Sequence, residues 1–175
     1  MTSAEATQSK PVWDPFIRVF HWSLVGAFTV SQLTAETFDE IHEVSGYVIG
    51  GLIIARLAWS FLGPVNARFN KDWISPKAIG RHLLSVLDGS HRPITGHNPA
   101  GGAMILILMA ALLLTALTGH LGQTDLFWGT EWISELHEAL GEGLLLLVGI
   151  HIAAVVLMSV LEKRNLIRAM ITGHG

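Results

Sequence analysis

Four apolar runs of about twenty residues dominate this chain, and a run of that length is what a helix needs to cross a bilayer. They lie at about 16–34, 42–62, 100–120 and 137–161. Backbone inside lipid must satisfy its own hydrogen bonds, which leaves helix as the workable form. Composition agrees: half of the 175 residues are apolar and only 14% are charged, where a soluble domain carries about 25%. The expected fold is an all-α integral membrane four-helix bundle, a single domain over residues 1–175. The first run is the least apolar, since it holds Arg18, His21, Ser23, Thr29, Ser31 and Gln32. A helix surrounded by lipid would not carry them; a helix with one face against a polar cofactor would. Residues 1–11 are polar, so the first run is expected to be a retained span and not a cleaved signal.

Charge sets the expected orientation. With the N-terminus inside, the inner side holds Lys10, Arg18, Arg68, Lys71, Lys77, Arg81, Arg92, Lys163, Arg164 and Arg168, with Arg56 near the inner end of the second run. Those are all eleven Lys and Arg of the chain. Positive charge collects on the cytoplasmic side, so both termini are expected there, in a bacterial inner membrane. The outer side holds nine acids: Glu36, Asp39, Glu40, Glu43, Asp125, Glu131, Glu135, Glu138 and Glu142. The net charge of −3 conceals a basic inner face and an acidic outer one. Membrane lipid, not nucleic acid, is the expected environment. Within the inner loop, residues 75–87 (SPKAIGRHLLSVL) open on a cap-like Ser-Pro and space Ile79, Leu83, Leu84 and Leu87 along one face. This is expected to be a short amphipathic helix on the cytoplasmic leaflet. Trp128 and Trp132 are expected at the outer interface.

Ionisable side chains at membrane depth are costly and mark function by default. His21 and His151 lie inside apolar runs, and His42 and His137 at the first turn of two others. His137 and His151 are fourteen residues apart, about 21 Å along a helix and within about 40° of the same face. Depth then pairs His42 with His137 at the outer end and His21 with His151 nearer the cytoplasm. The chain has no cysteine, which excludes disulfides, iron–sulfur clusters, thiolate zinc and covalent haem attachment. Two non-covalent haems, each held between two imidazoles, fit the two layers.

Plainer explanations stand beside each of these. A single histidine at a helix end is ordinarily an interfacial residue, and a histidine inside a run can hydrogen-bond a neighbouring carbonyl. The two depth-matched layers are what favour ligation. Gly46 and Gly141 each follow a histidine by one turn and would give a flat cofactor room against the helix. Arg56 and Arg18 either snorkel to the inner headgroups or meet the propionates of the inner haem. Trp13, Trp22 and Trp59 suit interface anchors and haem-packing walls. His82, His91, His97 and His174 are expected in solvent, and His120 at the outer interface, where it would also suit a quinone or a partner.

Several segments together resemble a known family. They are VWDPFIRVFHWSL (12–24), HEVSGYVIGGLIIARLAWSFLGP (42–64), GHNPAGGAM (96–104), HEALGEGLLLLVGIH (137–151) and RNLIRAMITG (164–173). They look like the bacterial cytochrome b561 family, which includes the b-type cytochrome subunits of nickel–iron hydrogenases. The resemblance implies a four-helix membrane cytochrome with two b-type haems, and its ligand positions match His21, His42, His137 and His151. Bis-histidine iron suits one-electron transfer. The expected function is therefore electron transfer between the quinone pool and a periplasmic redox partner, a c-type cytochrome or a dehydrogenase subunit, in a respiratory chain. A homodimer is compatible with it. The alternatives are a membrane-anchor subunit of a hydrogenase or other dehydrogenase, and a superoxide:quinone oxidoreductase, an activity the family contains. Nine outer acids should repel superoxide. A transporter or metal channel would want a polar path and inverted repeats, and neither is visible.

Overall fold

The computed structural model describes residues 14–64, 67–90 and 98–174. Lys10, Trp13, His91, Arg92 and His97 lie outside the described residues. Every regular element among the described residues is helical: α1 (Pro15–Thr34), α2 (Asp39–Leu62), α3 (Pro76–Leu87), α4 (Pro99–Gly122), α5 (Glu131–Leu161) and α6 (Leu166–Thr172), with a 3-10 turn at Lys71–Ile74.

Local chemistry sets most of the boundaries. The Asp14, Ser75 and Asn98 side chains each accept a backbone N–H of the first turn, ahead of a proline that needs no donor there. Asp39 and Glu40 open α2, where negative charge meets the helix dipole favourably. Gly129, at φ +73°, breaks the chain before α5. The fourth apolar run starts at His137, but α5 starts six residues earlier, at Glu131. The segment EWISEL holds no helix breaker, so the helix continues past its apolar part. At 31 residues it is about 46 Å long, more than the ~30 Å hydrocarbon core.

Three of these helices, α2, α4 and α5, are long and apolar enough to cross a membrane. α1 has 20 residues, but its polar residues lower its hydropathy below theirs. The order of packing is α1 on α2, α2 on α4 and α4 on α5, with α6 returning from the end of α5. Phe20, Ile49, Ile53, Met109, Leu112 and Leu144 form the shared core. α1 and α5, the outer members of the row, make no more than marginal contact. α6 closes their ends: the Arg18 guanidinium donates to the Ile171 carbonyl, and the Trp22 indole to that of Met170 at 3.4 Å.

The loop after α2 folds back on the bundle. Trp73 packs so closely on α4 that a Cβ at Gly102 would stand 2.2 Å from its ring. α3 differs from expectation in one respect. Its Leu83, Leu84 and Leu87 are exposed, as a helix on a lipid surface requires, but His82 is buried at 8% exposure. The solvated placement expected for His82 is corrected, because the face opposite the leucines is the one that packs on α4 and the 3-10 turn. His174 is exposed, as expected, and so are Trp128 and Trp132.

Candidate haem site

The turns after α1 and after α4 lie at the same end of the row, and there two histidines meet. His42, in the first turn of α2, and His137, in the second turn of α5, have ring centroids 5.9 Å apart with planes at 88°. Each ring is held by a different neighbouring helix. His42 Nδ1 is 2.9 Å from the Ser31 carbonyl and 3.3 Å from the Ser31 hydroxyl, both on α1. His137 Nδ1 is 3.0 Å from the Thr115 carbonyl and 3.1 Å from the Thr118 hydroxyl, both on α4. A carbonyl can only accept, so each Nδ1 carries the hydrogen, and each neutral ring keeps its lone pair on Nε2. This carbonyl-fixed tautomer is the usual second shell of a metal-ligating imidazole.

Ser31 entered the sequence analysis only as one of the polar residues of the first run, and Thr115, Thr118 and Gly119 were not singled out at all. The first three look like helix hydroxyls satisfying their own turns, as Thr115 does with the Ala111 carbonyl at 2.9 Å. Gly119 carries the closest constraint. A Cβ there would stand 3.0 Å from His137 Cε1 and 3.3 Å from its Nδ1. A Cβ at Gly46 or Gly141 would meet nothing within 4 Å, so no neighbour among the described residues explains either glycine.

Fourteen residues further along α2 and α5 lie Arg56 and His151. His151 and His21 are partly buried and lie within electrostatic range of each other. They stand on α5 and α1, the two helices that do not pack together. His21 also meets Trp22 edge-on, with centroids 5.4 Å apart. Arg56 is 3% exposed and lies over the Phe69 ring at 4.8 Å. Its Nη1, the Arg18 Nε and the Trp59 Nε1 are buried donors without a hydrogen-bond partner among the described residues. Trp59 stacks on Phe16 at 4.5 Å. A buried guanidinium with an unmet donor is costly, and a carboxylate would meet it.

These residues fit a haem. Two imidazole nitrogens bonded to one metal at about 2 Å each stand about 4 Å apart, and the 5.9 Å centroid separation leaves room of that order. Among the described residues no three His, Asp or Glu converge as a site for a free ion. A pair of imidazoles suits an iron whose other four positions a porphyrin fills. At the opposite end of the row, the unmet donors on Arg18, Arg56 and Trp59 suit carboxylates such as haem propionates.

Comparison with known proteins agrees. The model of the prokaryotic cytochrome b561 family matches residues 12–173. A probable Ni/Fe-hydrogenase B-type cytochrome subunit of Rhizobium leguminosarum bv. viciae is 24% identical, the match covering 95% of this chain and 89% of that protein. One of the same description from Rhodobacter capsulatus is 22% identical over 93% of this chain and 80% of its own length. No solved structure matches the chain. Its helices, its paired imidazoles and a family match over nearly its whole length lead to one assignment: the chain belongs to the prokaryotic cytochrome b561 family, as a membrane cytochrome b that takes haem b and transfers electrons.

Proposed function

We propose that this chain is a dihaem cytochrome b carrying electrons across the bacterial inner membrane, between the quinone pool and a periplasmic redox partner such as a c-type cytochrome. In this reading α1, α2, α4 and α5 are four spans of one bundle, with both termini cytoplasmic. His42 and His137 would hold the haem near the periplasm, and His21 and His151 the one nearer the cytoplasm. The observation that carries it is the outer pair, whose rings lie 5.9 Å apart with each Nδ1 engaged by a carbonyl of an adjacent helix. Bound between two imidazoles, haem iron has no open position and supplies one-electron transfer.

The chain's own groups do the rest. The Ser31 and Thr115 carbonyls hold the two outer rings in one tautomer and one orientation. Arg56 and Arg18 neutralise the propionates at the inner end, where Phe69 covers the Arg56 guanidinium. Gly46 and Gly141 leave the macrocycle room beside its ligands. The apolar faces of α2, α4 and α5 keep water from the path, which favours electron transfer over side reactions. The test is direct. A reduced-minus-oxidised spectrum of the purified protein should show b-type haem, and haem assay should give two per chain; protein without haem would sink the reading.

The acids Glu36, Asp39, Glu131 and Glu135 are exposed at the end where the outer pair lies. They should steer a basic partner by charge. Reversing any two of them is expected to slow reduction of a basic c-type cytochrome about tenfold at low salt and to flatten the salt dependence. A rate insensitive to both would remove that partner class. The names of the relatives favour a second reading, a membrane-anchor subunit for a hydrogenase. A superoxide:quinone activity is disfavoured by nine acids facing an anionic substrate.

A further inference from the structure

Beside the histidine pair, the outer ends of α2 and α4 bring two more polar side chains together. Tyr47 Oη and His120 Nδ1 are 3.2 Å apart, with ring centroids separated by 5.8 Å. Glu43 lies one turn before Tyr47 on α2, and its carboxylate interacts electrostatically with the same hydroxyl. Nearby the two helices touch at Gly50, where a Cβ would stand 3.8 Å from that of Ala116. Tyr47 is 49% exposed, and Val44, Val48 and Leu117 beside it are exposed too. The pair therefore opens sideways, through an apolar rim, and not into the bundle. Tyrosine and histidine at an interface ordinarily turn their polar tips to water. Here each tip is turned to the other across a helix boundary.

That arrangement has a property neither residue has alone. A phenol both donates and accepts, and a neutral imidazole donates at one nitrogen and accepts at the other. When Tyr47 donates to Nδ1, His120 Nε2 carries an N–H. When Nδ1–H donates to the phenol oxygen, as it does if Tyr47 donates to Glu43, Nε2 accepts. One atom thus offers a donor or an acceptor by a change of tautomer, with no change in the charge of the pair. Quinone oxygens only accept hydrogen bonds, whereas hydroquinone hydroxyls also donate. That reversal lets one atom serve both forms, and a lipid-soluble ligand needs a lateral entrance. His120 also directly follows Gly119, the residue that touches the His137 ring.

We infer that Tyr47 and His120 form a headgroup site for a membrane quinone or hydroquinone, entered from the bilayer at the end of the bundle that holds His42 and His137. The site rests on the quinone-linked reading proposed above. Haem-loaded full-length protein is titrated with decylubiquinone. Tyr47→Phe and His120→Leu are each expected to weaken binding about tenfold, the worth of one hydrogen bond, with haem content unchanged. His120→Gln keeps a donor and an acceptor and should bind within about threefold of the wild type. A photoreactive azidoquinone should label the wild type within residues 44–48 and 117–120. Unchanged affinity in both weakened variants, or labelling elsewhere, overturns this site and leaves the quinone link standing. Failure of the wild type to bind decylubiquinone overturns both. If a variant loses haem, the labelling of the wild type decides.

Discussion

Replacing His42 or His137 with alanine is expected to halve the haem bound per chain, and to remove the same spectral component in both variants. The reason is geometric. The two rings face one gap, 5.9 Å between centroids, and their Nδ1 atoms are already committed to the Ser31 and Thr115 carbonyls. Losing either ring would leave a haem there with one of its two proposed imidazole partners. Loss of an outer-shell partner alone typically costs 10–100-fold in metal affinity, and loss of a ligand costs more. His21→Ala and His151→Ala are expected to remove the complementary component and spare the first. Haem stoichiometry with low-temperature difference spectra measures this. Loss of one shared component from His42→Ala and His151→Ala would show that depth had been paired wrongly.

Gly119→Val is expected to reproduce the His137→Ala phenotype with every histidine still in place. The added Cβ would stand 3.0 Å from His137 Cε1, closer than ordinary van der Waals contact, so the ring must give way by a few tenths of an ångström. The branched methyls crowd the ring further, so it must swing away from the Thr115 carbonyl. Swinging away costs both the orientation and the tautomer. The haem assay should show loss of the outer component, with the His21/His151 component retained. Gly46→Leu and Gly141→Leu provide a contrast, because a Cβ at those positions meets no protein atom. If they too lose haem, the cost comes from the cofactor's own space. If haem content stays intact in both, the two glycines serve no cofactor.

Much of this was legible along the chain. Apolar runs of span length predicted helices, and the cap-like Ser75-Pro76 marked the start of α3. Periodicity put His137 and His151 near one face. The amphipathic pattern of 75–87 correctly placed a helix, but not the fate of His82. That residue lies opposite the leucines, and only the position of α4 shows that its side is the one covered by protein. Arg56 is a similar case: sequence left it between snorkelling and a propionate, and only the tertiary structure shows that its side chain is buried with a donor unmet.

Spacing, hydropathy and charge are properties of neighbours in the chain, so they specified the helices, the histidines and the asymmetry between a basic end and an acidic one. The partners of those histidines are not neighbours. Ser31 lies 11 residues from His42 and Thr115 lies 22 from His137, and a serine or threonine in an apolar helix looks the same whether or not an imidazole leans on its carbonyl. Gly119 reads as one more small residue until another helix lays a ring against it. Which hydroxyls, carbonyls and glycines hold the rings depends on the order in which the helices pack, and that order was decided only by the tertiary structure.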